Sequence, residues 1–167
     1  DFAKENNLSN LEFLSCIPGS IGGAIIMNSG CYEDDISKIL LSIRVLNKHS
    51  LKEEEINKED IKFLYRDTNL NKNFIVLSAK LKGITSEQKF IEQKQSLLVQ
   101  KKKKSQPNQI KTCGSTFKNI SKGKKAWMLI KESGCHNFSE GNASISEKHC
   151  NFFVNNGKAT SKDIETL

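Results

Sequence analysis

The sequence predicts an α+β fold in two parts, and three observations carry that prediction. Residues 39–47 and 74–81 alternate apolar and polar side chains with β-branched residues among them, as half-buried strands do. Residues 86–104 place Phe90, Ile91, Leu97 and Leu98 at helical spacing, which predicts one long amphipathic helix. Beyond Pro107, shorter strand-like and helical segments resume, so that helix separates two units.

Residues 10–32 are richer in glycine and small side chains than any later stretch. Residues 39–47 (ILLSIRVLN) read as a buried strand alternating around Arg44. His49-Ser50 marks a turn, and residues 51–56 read as a more exposed strand carrying Glu53, Glu54 and Glu55. Asn57 or Asp60 caps a single helical turn ahead of Phe63-Leu64-Tyr65. Residues 74–81 (FIVLSAKL) give the clearest strand, which Gly83 ends, and Ser86 caps the long helix. Its last turn is Lys-rich, as the helix dipole favours, and Pro107 forbids continuation. The four lysines at 101–104 therefore read as a solvated helix end rather than a binding patch.

In the second unit, residues 115–118 are expected to be short and extended. Residues 125–133 read as a helix presenting Trp127, Met128 and Ile130, closed by Gly134 at the C′ position. Residues 142–145 and 151–155 are strand-like, and Asn156-Gly157 is a tight-turn signal. A last helix opens near residue 159, with Thr160 or Ser161 as cap and Asp163 in its first turn. It stops in its second turn, and the chain begins at Asp1, so a piece of a longer protein is expected. The expected domains are 1–84, a linker helix over 85–104, and a truncated unit over 105–167.

Composition excludes several classes of function. The 167 residues carry a net charge of +7 and are 37% apolar. No apolar run approaches the roughly 18–20 residues a membrane helix needs, so no membrane partner is expected. The positive charge comes from 24 lysines and only two arginines, Arg44 and Arg66. Nucleic-acid readers lean on arginine forks and aromatic stacking, so no nucleic-acid partner is expected either. Five cysteines at irregular spacings, with no CxxC pair, give no zinc signature, and no metal is expected. They read as reduced, mostly buried thiols of a cytoplasmic protein.

Three segments can carry chemistry. Ile17, Pro18, Gly19, Ser20, Ile21, Gly22 and Gly23 hold three glycines in five residues, which lets a backbone approach a phosphate or a flat ring edge. The spacing matches neither GxGxxG nor GxxxxGK[ST], and a structural glycine turn suits it as well. Phe63-Leu64-Tyr65-Arg66-Asp67 keeps an arginine in a lysine-rich chain, as a carboxylate-binding fork requires, although a surface ion pair explains it too. Gly114-Ser115-Thr116-Phe117-Lys118-Asn119 sets a hydroxyl at a strand start beside a Lys and an Asn that can hold anionic oxygens. It is not GxSxG, and none of the three histidines is selected as its partner; a general-acid serine and a plain turn serine both remain open.

In this order, the segments resemble the UDP-N-acetylenolpyruvoylglucosamine reductase family, flavoenzymes of bacterial peptidoglycan synthesis. Leu11-Glu12-Phe13, the glycine segment, Met27-Asn28-Ser29-Gly30, the arginine segment, Gln106-Pro107, the serine segment, Lys148-His149, Asn151-Phe152 and Val154-Asn155 carry the likeness across nearly the whole chain. The resemblance implies the later half of a vanillyl-alcohol-oxidase-type FAD-binding domain followed by a small α+β substrate-binding domain. It implies FAD as cofactor, NADPH as reductant and a UDP-sugar enolpyruvyl ether as substrate. Residues 17–23 and Asn28 would line the FAD, Arg66 would polarise the substrate carboxylate, and Ser115 would protonate the substrate. Tyr65, Lys118 and Asn119 would hold it.

The family's third catalytic residue, a glutamate, would lie beyond Leu167, which implies an incomplete active site. Ile120 replaces the family proline, Cys113 its alanine, and His136 a lysine that some members use near the diphosphate. The competing readings are another FAD-dependent oxidoreductase of the same fold and a basic nucleotide- or RNA-binding module.

Overall fold

Most elements of the first hundred residues are short, because glycine, proline and asparagine interrupt the chain before any of them lengthens. Helix α1 (Phe2–Glu5) and strand β1 (Leu8–Ser9) lead into a 3-10 turn at Glu12–Cys16 and then helix α2 (Ile21–Ile26). β2 (Gly30–Cys31) and β3 (Asp34–Asp35) form a small hairpin, and α3 (Ile36–Ile39) passes the chain to β4 (Leu40–Asn47). β5 (Glu53–Asn57) is followed by a 3-10 turn at Lys58–Asp60 and the hairpin of β6 (Phe63–Leu64) and β7 (Asp67–Thr68). β8 (Phe74–Leu81), β9 (Ile84–Thr85) and the long helix α4 (Gln88–Ser105) come next. The computed structural model describes residues 1–70, 73–120 and 123–167. The chain divides into two units, Asp1–Gln100 and Lys101–Leu167, with the boundary inside α4.

In the first unit β4 is the middle strand of an antiparallel sheet in the order β5-β4-β8. Leu40, Ile43 and Val45 on β4 are fully buried, whereas Leu41 and Arg44 face out, so the alternation expected around Arg44 is present. β8 has the bounds the sequence predicts. β5 starts two residues later than expected, because Leu51 turns into the left-handed region at φ +55°. Its glutamates are exposed and pair along the surface, Glu55 with Lys80 at 2.8 Å and Glu53 with Arg44 at 3.5 Å. The core gathers Phe13, Ala24, Ile25, Ile36 and Ile39 around β4.

α4 lies on this unit through one stripe only. Ile91 is buried and Leu98 packs against the core, but Phe90 and Leu97 are 58% and 65% exposed. The four residues form two parallel seven-residue rows about 100° apart, and one row meets the core while the other meets water. On the buried side Lys94 reaches the buried carboxylate of Glu12 at 3.1 Å.

The second unit is a four-stranded antiparallel sheet with two short helices. It contains β10 (Lys111–Ser115), α5 (Ala126–Glu132), a 3-10 turn at Cys135–Asn137, β11 (Ser139–Glu140), β12 (Ala143–Ile145), β13 (Phe152–Asn155) and α6 (Ser161–Thr166). The strand order is β10-β13-β12-β11. Ala143, Ile145, Phe152, Val154 and Ala126 of α5 are buried. Gly134 follows α5 at φ +77°, the left-handed stop the sequence calls for. Thr160 caps α6 in a reciprocal capping box with Asp163.

Three further expectations are corrected. Glu87 rather than Ser86 takes the N-cap place of α4, its carbonyl accepting from the Phe90 and Ile91 amides at 3.0 and 3.3 Å. The extended stretch is residues 111–115, ending where it was expected to begin, because the backbone of Thr116 and Phe117 bonds to Asn151 instead of continuing a ladder. The thiols form no disulfide, as expected of reduced cysteines, but they are not mostly buried: Cys16 alone is buried and Cys113 is exposed. Cys113 sits on edge strand β10, whose positions 111, 113 and 115 are exposed. No helix among the described residues is long and apolar enough to cross a membrane.

Candidate functional site

The glycine segment is part ledge, part helix. Pro18, Gly19 and Ser20 are exposed, and Gly19 lies at φ +114° with open space where a Cβ would point. Ser20 then caps α2, its Oγ accepting from the Gly23 amide at 3.1 Å. A Cβ on Gly22 would stand 3.3 Å from the Cβ of Val76, so this glycine is demanded by the close approach of α2 to β8. Only part of the glycine pattern therefore serves an outward surface, flanked there by Ile21 and Met27, both exposed.

α2 ends in a Schellman motif: Ser29 N–H donates to Ala24 O at 2.8 Å and Asn28 N–H to Ile25 O at 3.0 Å. Asn28 fills the left-handed position at φ +39°, where glycine is usual. Its side chain is buried and committed at both ends. Nδ2 donates to Leu64 O at 3.1 Å, and Oδ1 accepts from the Ser37 amide in the first turn of α3 at 3.1 Å.

Arg66 occupies the second position of the two-residue turn between β6 and β7, with φ +56°. Its guanidinium donates to Gly30 O at 2.8 Å and Asn28 O at 3.4 Å, and lies 5.4 Å from the Tyr65 ring centroid. Thr68 Oγ1 donates to Ile26 O at 2.9 Å, satisfying a carbonyl at the end of α2. The fold thus brings Tyr65, Arg66 and Asn28 together beside the helix that the glycine segment opens.

The serine segment belongs to the second unit. Thr112 pairs with Val154 and Ser115 with Phe152, so β10 carries one residue more than β13 between those pairs. Gly114, at φ +89°, absorbs this bulge, and Ser115 emerges exposed at the strand's end. Buried Asn151 clamps the following loop. Its carbonyl accepts from Thr116 N–H at 2.8 Å, its Oδ1 from Phe117 N–H at 3.0 Å, and its Nδ2 donates to Phe117 O at 2.9 Å. Asn119 Oδ1 accepts the Ala126 amide at the start of α5, at 3.0 Å. Lys118 is exposed between them. Asn151 matters here only through backbone contacts 34 residues away, which leave no local signal in sequence.

Two cavities of this unit, about 720 and 610 Å³, share His136, Asn137, Ser146, Glu147 and Lys148; neither is lined by Ser115, Lys118 or Asn119. The smaller one also takes in Trp127 and His149. Burial holds the His149 imidazole below its usual pKa, which favours the neutral ring. The Asn151 N–H donates to His149 Nδ1, which puts the ring proton on Nε2.

Residues 106–167 match the model of the family described as UDP-N-acetylenolpyruvoylglucosamine reductase, C-terminal domain. A protein named UDP-N-acetylenolpyruvoylglucosamine reductase from Wolbachia pipientis subsp. Culex pipiens is 44% identical over 166 residues, covering 99% of this chain and 56% of the relative. One of the same name from Pelagibacter ubique is 43% identical over 169 residues, covering 100% of this chain and 56% of the relative. The crystal structure of UDP-N-acetylenolpyruvylglucosamine reductase (MurB) from Thermus caldophilus superposes with a TM-score of 0.89 at 33% identity, covering 99% of this chain and 60% of that one. The chain spans about half the length of the curated relatives it matches.

Proposed function

The chain belongs to the UDP-N-acetylenolpyruvoylglucosamine reductase family, and from that premise we propose that it works within an NADPH-dependent flavoenzyme. This enzyme reduces the enolpyruvyl ether of UDP-N-acetylglucosamine to UDP-N-acetylmuramate for peptidoglycan, in the cytoplasm and with no nucleic-acid partner. Residues 1–84 are read as the later half of a vanillyl-alcohol-oxidase-type FAD-binding domain, 85–104 as the connecting helix and 105–167 as the substrate-binding domain.

The residues present suit FAD. An exposed ledge of Pro18, Gly19 and Ser20, open around Gly19 and flanked by apolar Ile21 and Met27, offers close backbone approach beside a surface for a flat ring. Ile17 and Gly22 back this ledge, Gly23 is tied to Ser20, and Asn28 closes its far end without a side-chain atom to spare. When bound, FAD reduced by NADPH supplies the hydride for the enolpyruvyl double bond.

This chain's residues do the rest. The Arg66 guanidinium, permanently charged, would draw the substrate carboxylate and stabilise the negative charge that grows on it as the double bond is reduced. The Ser115 hydroxyl would give its proton to the substrate α-carbon, completing the lactyl ether. Tyr65 beside Arg66, and Lys118 and Asn119 beyond Ser115, would orient the substrate; Asn119 has one amide end pledged to α5.

The observation that carries this reading is the Arg66 fork: a guanidinium held at a fixed place on Gly30 O and Asn28 O, against the Tyr65 ring and beside the helix that the glycine segment opens. The test is Ser115→Ala in an enzyme of the relatives' full length that carries this chain. Its flavin absorbance should still bleach on NADPH addition, while turnover of the enolpyruvyl substrate stops. Turnover at the unmodified rate would remove Ser115 as the proton donor.

A further inference from the structure

Arg66 sits at the tip of a two-residue turn, and the short β6–β7 pairing is not all that holds it. Three attachments fix the β6–β7 hairpin to the end of α2, and each enters at a different residue. Asn28 Nδ2 grips Leu64 O before the turn, Thr68 Oγ1 grips Ile26 O after it, and the guanidinium itself rests on Asn28 O and Gly30 O. Both gripping side chains are buried, at 6% and 9% exposure, which limits the access of water to these bonds. Asn28 also binds the α3 amide of Ser37, which makes it the joint of two helices and the hairpin.

We propose that Asn28 and Thr68 are positioning residues for Arg66, holding its strained turn so that the guanidinium faces the substrate carboxylate. The proposal rests on the reading of Arg66 given above. Asn28 can be tested without losing the helix stop, because its left-handed backbone suits glycine at least as well. Asn28→Gly removes both side-chain bonds and keeps the Schellman turn. Thr68→Val keeps the shape and removes only the bond to Ile26 O.

Two measurements decide it. The first needs no turnover: amide hydrogen exchange of residues 64–68 in an enzyme of the relatives' full length that carries this chain. Either variant should speed exchange there and leave the second unit unchanged; unaltered exchange in both would overturn the proposal. The second is a double-mutant cycle with Arg66→Ala in the enzyme of full length. Thr68→Val alone should slow turnover of the enolpyruvyl substrate about 10- to 100-fold, the scale set by misplacing one catalytic group. The rate of flavin reduction by NADPH should not change, and in the Arg66→Ala background the same substitution should cost nothing further. An equal loss in both backgrounds refutes positioning through Arg66. If Arg66→Ala itself turns over normally, the role given to Arg66 is wrong and the positioning role goes with it.

Discussion

A guanidinium that rests on two backbone carbonyls still presents a rigid, permanently charged fork at a fixed place. Lysine in its stead keeps the charge but offers one point of contact on a flexible stem, and it cannot span Asn28 O and Gly30 O with a planar group. Arg66→Lys should therefore lower kcat/KM for the enolpyruvyl substrate about 10²-fold, the usual loss for one charge-stabilising donor. NADPH-driven reduction of the flavin should stay as it was. Steady-state kinetics with each substrate varied separates the two, and an unchanged kcat/KM would leave Arg66 a structural residue. Arg66 stands out in the sequence because arginine is rare in this chain, and the structure adds its hold on Asn28 O and Gly30 O. Asn28, Thr68 and Asn151 could not be assigned these duties, since each acts on a carbonyl or amide 34 to 42 residues away.

Among the elements, β4, β8 and α5 could be read almost to the residue, because period and terminating signals agree there. The glycine segment could not be divided in advance. Gly22 answers to Val76 and Gly19 to open space, and that difference exists only once α2 packs on β8. The serine strand misled for a related reason: Asn151 takes the backbone of Thr116 and Phe117 off the ladder, and the strand's last residues form a bulge, neither of which an alternation pattern records. That bulge sets the aim of Ser115 through Gly114 at φ +89°, where any Cβ is strained although nothing crowds it. Gly114→Ala should cost about 1–2 kcal/mol of second-unit stability. It should also slow substrate protonation without touching flavin reduction. A thermal melt and single-turnover kinetics test both halves. A variant as stable and as fast as the parent would mean that the bulge tolerates a side chain and does not aim the serine.

Across the whole molecule, acid should loosen the two units in sequence. In the second unit, burial depresses the pKa of His149 below 6.5, and only its own backbone contact opposes this. The neutral ring is the folded form, so its contribution is complete above about pH 6.5 and drains away as pH falls through the lower folded value. In the first unit, burial alone would raise the Glu12 carboxyl. The Ser9 hydroxyl at 2.6 Å and the Lys94 ammonium outweigh it and leave the pKa lowered from 4.5. Its contribution is complete above about pH 4.5 and is lost only below that. Between pH 7 and 5 the second unit should weaken while the first holds. Trp127, the chain's single tryptophan, lies in the second unit and borders the same cavity as His149. Melts followed by its fluorescence should shift to lower temperature over that range, and His149→Gln should flatten the shift. A fluorescence midpoint that holds constant from pH 7 to 5 would show that the imidazole is not kept neutral by the fold.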